Sequence, residues 1–432
     1  MHDSPPQHTG LILIWTVLCT TVGLFILSKP DLAFTAPDSL LLTFSQLFAL
    51  TGIALLSFSF LLSSRLSFLE NLFGGLDNIY RLHHLLGVSA FILLINHPLL
   101  MAIDALPNSK IALIYFLPSL DLSYLLGITA LYTMIILISA TLFIRLPYHL
   151  WKATHEYMGL VILLGFFHSL LIASDVSRYL PLKIWILIIS SLGLLAYIYR
   201  RFLYEKFGPV SNHIVSSVRN LGQITEILLS PREKSLVYRP GQFAFLSFPE
   251  KKGFRETHPF SFSSPSEAKE IRFSIKNLGD YTSKIHSLTP GTFVRLMGPY
   301  GQFFDKFAGS EVTVCIAGGI GITPFLSLFG SKSEITGKKV YLFYSVKTPA
   351  DAYYSHELSD LSRVNHFFYK LHDTKSLGRL TAADIIKTAQ IDPKVATYFI
   401  CGPLPMMTAI REQLLDLGVR PSHIVFEDFS LK

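Results

Sequence analysis

Six apolar stretches of near-membrane length fill the first half of this chain, at Gly10–Ser28, Leu40–Leu62, Leu82–Ile103, Leu122–Ile144, Ala153–Ala173 and Leu180–Tyr199. A helix rises about 1.5 Å per residue, so each is long enough to cross a hydrocarbon layer of about 30 Å. The connections carry breakers and charges, as in Lys29-Pro30-Asp31, Gly74-Gly75 and Arg145-Leu146-Pro147-Tyr148. After Arg200-Arg201 the period shortens to strand-like runs at Ile224–Leu229, Phe243–Phe248 and Ile271–Ile275, separated by Gly and Pro, which predicts a small antiparallel barrel up to about Asp305. From Glu311 strands alternate with helices: Val312–Ala317, a glycine turn, Pro324–Phe329, then Val340–Ser345 and Tyr398–Ile400. That order predicts a parallel, nucleotide-binding sheet. The expected fold is a multi-domain membrane protein, with a six-helix transmembrane bundle at 1–206, an antiparallel β-barrel at 207–308 and an α/β nucleotide-binding domain at 309–432.

Composition agrees with a chain half embedded in a bilayer: of 432 residues, 50% are hydrophobic and 16% charged, far from a soluble average. Charge is unevenly placed. Residues 1–206 hold 11 Lys/Arg against 10 Asp/Glu, and 207–432 hold 26 against 20, so the net +7 sits mainly on the second half. Such an excess suits attraction of an anionic dinucleotide or an anionic leaflet, and equally an ordinary solvated face. No nucleic-acid partner is expected. Cys19, Cys315 and Cys401 match no zinc or disulfide spacing, which places the second half in a reducing compartment. Residues 1–9 lack Lys and Arg, so the first apolar run is expected to be a retained helix and not a secretory signal. With six spans, both termini face the same side. Assigning that side to the cytoplasm puts seven loop cations inside (Arg65, Arg81, Arg145, Lys152, Arg200, Arg201, Lys206) and four outside (Lys29, Lys110, Arg178, Lys183).

Four histidines interrupt the third and fifth spans as two pairs, His83 with His97 and His155 with His168. Each spacing separates imidazoles by about 20 Å along a helix axis. Two parallel spans carrying such pairs can hold two haems at different depths, His83 and His155 at one level and His97 and His168 at the other. Fourteen residues return His97 to nearly the face of His83, while adjacent His84 points about 100° away and is not expected to ligate. Thirteen residues leave His155 and His168 about 140° apart on an ideal helix, so a π-bulge, a bend or different haem tilts must supply the difference. Gly87, Ser89, Ala90, Gly159 and Gly165 between the pairs admit either a flat macrocycle or close helix packing.

In the second half, His258-Pro259-Phe260-Ser261, Gly318-Gly319-Ile320-Gly321-Ile322-Thr323-Pro324, Cys401-Gly402-Pro403 and the terminal Phe426-Glu427-Asp428-Phe429 follow one another in the order of ferredoxin-reductase-type flavoproteins. Joined to the histidine pairs, they make the whole chain resemble the NADPH oxidase and ferric reductase superfamily, as a bacterial-type member. The resemblance implies FAD, NADPH (with NADH possible) and two haems b, in an inner membrane with both termini cytoplasmic. It implies that Phe260 packs on the flavin and Ser261 bonds near its reacting end, with His258, Pro259 and Ser263 beside them. His258 stands where soluble relatives often carry an arginine for phosphate, so that charge is met elsewhere. The stretch with Lys276, Gly279, Tyr281 and Thr282, followed by an expected apolar helix, offers backbone N–H groups to an anion. Gly318, Gly319 and Gly321, with Thr323 and Pro324, admit a pyrophosphate at a helix start. Cys401, Gly402 and Pro403 are implied to place the nicotinamide, Lys347 and Arg379 to meet a 2′-phosphate, and Phe429 to cover the flavin face.

Electrons are then expected to pass from NADPH through FAD and the haems to a small-molecule acceptor across the bilayer. Oxygen giving superoxide is one acceptor. A ferric or other metal chelate, a periplasmic protein or a quinone is the alternative, because Met101 stands where oxidases of the superfamily carry a second outer histidine. Asp31, Asp38, Asp104, Asp121 and Asp175 in the outer loops either attract cations or are ordinary solvated charges. A passive membrane binding or transport protein with merely packed histidines is the reading from a different class, and a partner protein is not specified.

Overall fold

The structure is a computed structural model that describes residues 8–29, 37–106, 108–144, 146, 148–254, 256–331 and 335–426. It divides into two compact units, Met1–Lys206 and Phe207–Lys432.

Among the described residues the first unit contains six spans long and apolar enough to cross a membrane. We label them α1 (His8–Leu27), α2 (Pro37–Ser63), α3 (Leu76–Asp104) and α4 (Leu122–Phe143), a fifth span in two pieces, α5 (Tyr148–Glu156) and α6 (Met158–Leu171), and α7 (Leu180–Ile198). Helix α2 is central and packs on both α3 and α7, while α4 packs on α6. Small residues set these approaches. A Cβ on Gly193 of α7 would lie 2.7 Å from the Ser57 Cα, and one on Gly159 of α6 would lie 2.0 Å from the Tyr197 ring. Gly159 therefore serves helix packing, whereas Gly87 meets only the Ser59 hydroxyl, at 3.7 Å.

The fifth span breaks at Tyr157, where Tyr157 donates to the Thr154 carbonyl and Leu160 to the Tyr157 carbonyl. These i to i−3 bonds wind the chain by about 120° per residue in place of about 100°. The extra rotation moves His168 toward the face of His155. It supplies part of the angle that a uniform helix lacks, through a tight turn and not through a π-bulge.

In the second unit, an antiparallel sheet of order β4-β3-β6-β1-β2-β5 is formed by β1 (Val210–Asn220), β2 (Ile224–Pro231), β3 (Phe243–Ser247), β4 (His258–Ser261), β5 (Ile271–Lys276) and β6 (Phe293–Tyr300). A bridge between Phe262 and Phe273 nearly closes it into a barrel around Ile227, Leu246, Phe262, Phe273 and Leu296. A five-stranded parallel sheet of order β11-β10-β7-β8-β9 follows, from β7 (Val312–Gly318), β8 (Lys339–Val346), β9 (Phe368–Asp373), β10 (Thr397–Cys401) and β11 (Ile424–Phe426). Its strands are apolar on both faces, Cys315 and Ala317 in one core and Val314 and Ile316 in the other, because helices cover both sides.

His213 on β1 is fully buried, and neither ring nitrogen makes a well-formed hydrogen bond among the described residues. Burial lowers its pKa, and the Ser211 backbone only partly opposes this. Because the folded value lies below the unfolded one of about 6.5, the unfolded chain takes up the proton first as pH falls, and stability declines below about pH 7. His213→Leu is expected to stabilise the second unit by about 1 kcal/mol and to flatten that acid limb, measured by thermal unfolding of the detergent-solubilised chain between pH 5 and 8.

Candidate functional site

The histidines of the third and fifth spans meet at one level: the rings of His83 and His155 have centroids 6.0 Å apart and planes at 80°. Two metal–nitrogen bonds of about 2 Å and a ring radius of about 1 Å on each side require about 6 Å between the centres of an iron-bound imidazole pair. The spacing fits an iron between them. Among the described residues no three His, Cys, Asp or Glu side chains gather as at a free-metal site, and a haem iron asks for only two protein ligands. His155 also stacks on Trp151 at 5.4 Å, and His84 is exposed.

Three of the four rings are held at Nδ1. His83 Nδ1 donates to the Ser59 carbonyl at 2.9 Å, His97 Nδ1 to the Ser45 carbonyl at 3.0 Å and His168 Nδ1 to the Ser123 carbonyl at 2.7 Å. A carbonyl only accepts, so in each ring Nδ1 carries the proton and Nε2 presents a lone pair. A Cβ on Gly127 of α4 would lie 2.7 Å from the His168 ring, so this glycine makes room for the imidazole. Spacing in sequence did not point to Ser45, Ser59, Ser123 or Gly127; the fourteen residues between Ser45 and Ser59, equal to the spacing of His83 and His97, were the available signal.

Two outer-loop acids are already engaged. Asp175 pairs with Lys29 at 2.5 Å, and Asp121 caps α4 by accepting from the Ser123 backbone and hydroxyl. The cation-attracting reading therefore loses both; Asp31 lies outside the described residues, as does the side chain of Asp38.

At the barrel, β4 is an edge strand whose four residues, His258 to Ser261, are all half-buried, unlike its fully buried neighbour β3. Register pairs Ser261 with Phe243 and Phe260 with Ala244. His258 lies on Tyr281, ring centroids 3.9 Å apart, and its Nε2 is 3.1 Å from Glu256. Burial pushes the Tyr281 phenol well up. The open face of β4 suits a flat ring laid against Phe260. Ser263 is fully buried instead, its hydroxyl bonded to Ser274 and the Arg272 carbonyl, so it belongs to the barrel wall. The apolar helix expected after Thr282 is replaced by a short 3₁₀ turn, Thr282–Ser287, with only Ile285 buried. Its sequence is mostly polar, and the Thr282 hydroxyl accepts from the Leu278 and Gly279 N–H groups that were expected to face an anion.

In the parallel sheet the chain leaves β7 and β8–β9 on one side and enters β10 on the other, so the strand order reverses between β7 and β10. Ligands of open α/β sheets bind at the carboxyl end of such a reversal. Both glycine motifs lie there. A Cβ on Gly321 would sit 2.3 Å from the Cys401 carbonyl oxygen, and one on Gly402 would sit 3.0 Å from the Gly318 Cα, so the two loops touch backbone to backbone. Gly319 has φ +55 and open space around it. Helices α8 (Thr323–Gly330) and α10 (Leu404–Asp416) start from these loops with prolines in their first turns, and α9 (Ser355–Asn365) lies between them in sequence. Their N-termini favour an anion. Cys401 is buried; Lys347 and Arg379 are exposed after β8 and β9. Phe429 lies outside the described residues.

Arg272 ties the barrel to this second sheet. It makes a forked pair with Glu357 of α9 at 2.8 and 3.0 Å, donates to the Ser263 carbonyl and lies 3.7 Å from buried Glu226. Burial opposes its charge, but the pairing with Glu357 and the charge of Glu226 outweigh that and raise its pKa. Arg272→Met is expected to cost about 2 kcal/mol by leaving buried Glu226 with only the exposed Arg219, 3.6 Å away, as a cationic partner among the described residues, and Glu357→Gln less, since Glu357 is 37% exposed. Chemical denaturation of both variants tests the order.

Comparison with known proteins agrees with this layout. Residues 48–166 match the family described as ferric reductase like transmembrane component, 212–302 an FAD-binding domain and 315–412 an oxidoreductase NAD-binding domain. Fold and site thus define an NAD(P)H-dependent oxidoreductase built into a membrane. The chain has the ferric reductase and NADPH oxidase-like architecture. It is 27% identical over 213 residues to the sulfhydrogenase 2 subunit gamma of Pyrococcus furiosus, covering 44% of this chain and 72% of that one. It is 25% identical over 253 residues to a flavohemoprotein of Rhizobium meliloti, covering 54% of this chain and 60% of that one. A flavohemoglobin structure from Malassezia yamatoensis, with bound FAD and heme, aligns over 91% of this chain and 99% of its own at TM-score 0.50 and 17% identity, a likeness of fold alone.

Proposed function

We propose that the protein carries electrons from cytoplasmic NADPH across a bacterial inner membrane to a small-molecule acceptor on the opposite face. Residues 1–206 form the di-haem domain, 207–308 the FAD domain and 309–432 the nicotinamide domain. The observation that carries this reading is the His83–His155 pair at 6.0 Å, with its twin pair on the same two spans. When bound, the nicotinamide would supply a hydride to the flavin, which would release its proton to the aqueous side and pass the two electrons on singly to the haems held in the apolar layer.

The chain's own groups bind and orient. His83 and His155 hold one iron, His97 and His168 the other. Phe260 packs on the flavin, Ser261 bonds its reacting end, and His258 and Tyr281 form the adjoining wall. Gly318, Gly319 and Gly321 cradle the dinucleotide pyrophosphate, while Cys401, Gly402 and Pro403 shape the space for its nicotinamide, which Phe429 shares with the flavin. No side chain needs to move a proton in the electron-transfer steps. Oxygen and ferric chelates are both kept as acceptors, since Met101 in place of a second outer histidine keeps reduction of a chelate open. The purified protein should contain two haems per flavin and reduce them with NADPH under anaerobic conditions. Product formation with oxygen, ferric chelate and quinone then identifies the acceptor. A colourless protein without a Soret band would remove the reading in favour of a passive membrane protein.

Lys347 follows β8, next to the proposed pyrophosphate loop, and is the candidate for the 2′-phosphate with Arg379 beside the same sheet edge. Lys347→Ala is expected to raise KM for NADPH about 10-fold and leave NADH nearly unchanged, because only the extra phosphate loses its charged partner. Steady-state kinetics with both dinucleotides check this.

A further inference from the structure

The α2–α3 contact repeats one side-chain unit at two depths. Ser59 faces His83 and Ser45 faces His97, with fourteen residues between the serines and fourteen between the histidines, running in opposite chain directions. Helix rise separates the two units by about 21 Å. Each serine is buried, and each makes the same two bonds. Its hydroxyl donates to the backbone carbonyl of its histidine, at 3.1 Å for Ser59 and 2.9 Å for Ser45. The hydroxyl proton is thereby spent, so the oxygen can only accept from the ring Nδ1 that lies 2.8 Å away in both units. Nδ1–H is thus shared between the hydroxyl and the carbonyl of one serine.

The geometry points to Ser45 and Ser59 as positioning residues that set the ring orientation and electron richness of one haem ligand each. This rests on the di-haem reading above. The double acceptor fixes the proton on Nδ1 and turns Nε2 away from α2, and it pulls that proton so that Nε2 becomes a stronger donor to iron. A stronger donor favours the ferric state, so the serines hold both potentials low. Ser57 is the internal contrast. It lies on the same helix, equally buried, but among the described residues its hydroxyl bonds only to the Ile53 carbonyl of its own helix.

Redox titration of the full-length protein, followed at the Soret and α bands, tests the assignment together with low-spin EPR signals and haem loss to apomyoglobin. The wild type must first show two haems and two redox steps; fewer would overturn the di-haem reading itself, and this assignment with it. Given two steps, Ser59→Ala should move one step to a more positive potential and Ser45→Ala the other, with about 10-fold faster haem loss from the affected site. The double variant should move both. Ser59→Thr and Ser45→Thr, which keep the hydroxyl, should restore potentials and EPR signals, and Ser57→Ala should leave them unchanged. If an alanine variant fails to accumulate, the cysteine variant at that position, with a weaker acceptor, should give a smaller shift of the same sign. Unchanged potentials in haem-replete alanine or cysteine variants, or an equal shift from Ser57→Ala, would overturn the proposal.

Discussion

Changing His83 or His155 to alanine should halve the haem content and leave the flavin and the second haem in place. Iron between two imidazoles 6.0 Å apart depends on both, and loss of either leaves an open coordination position in an apolar setting. Occupancy of that site should fall about 100-fold or more, a larger effect than the roughly 10-fold expected from loss of one serine bond. His97→Ala or His168→Ala should remove the other haem and preserve reduction of flavin by NADPH. His84→Ala is the control, since His84 is exposed and its neighbour carries the bond to Ser59. Pyridine haemochrome and flavin quantification of each purified variant gives the ratio, expected to fall from two haems per flavin to one. Haem lost from His84→Ala and retained by His83→Ala would show that the wrong histidine of the third span has been assigned.

Gly321→Ala should nearly abolish NADPH-driven haem reduction while dithionite still reduces both haems. The added methyl would lie 2.3 Å from the Cys401 carbonyl oxygen, a backbone atom that cannot rotate away, so the two loops must separate. Gly319→Ala separates structural damage from ligand contact. Its Cβ would meet nothing within 4 Å among the described residues beyond its chain neighbours, and only the left-handed backbone, φ +55, resists it, at a cost of about 1 kcal/mol. A stable Gly319→Ala protein with a KM for NADPH raised 10-fold or more would mark the open space above Gly319 as the pyrophosphate position. Unchanged KM and kcat there would remove the dinucleotide from that loop.

The number of the spans was legible in sequence because apolar length is a local property that water and lipid read directly, but the third span begins earlier than expected, at Leu76, and the fifth is broken into two helices. Three of the six barrel strands, β2, β3 and β5, and the strand–turn–helix at Gly318 were legible for the same reason: their periods and glycines are written in consecutive residues. The apolar helix expected after Thr282 failed on local grounds too, since Thr-Ser-Lys-Ile-His-Ser lacks an apolar face. The two-by-two grouping of the histidines is likewise a matter of spacing along helices.

What spacing could not supply is whatever depends on a partner from elsewhere in the chain. The Ser45–His97 and Ser59–His83 bonds join residues 52 and 24 apart, and they exist only because α2 lies antiparallel to α3. Gly321 meets Cys401 because β7 and β10 are adjacent in the sheet, although a strand–helix–strand passage separates them in sequence. Ser263 reads as one more hydroxyl near the flavin motif, and only closure of the barrel turns it inward to Ser274. The sequence by itself determined which segments are helix, strand and turn and which residue types they offer; the tertiary structure alone decided which hydroxyl, carbonyl or carboxylate each of them faces, because hydrogen bonds and close contacts act over about 3 Å and carry no memory of chain separation.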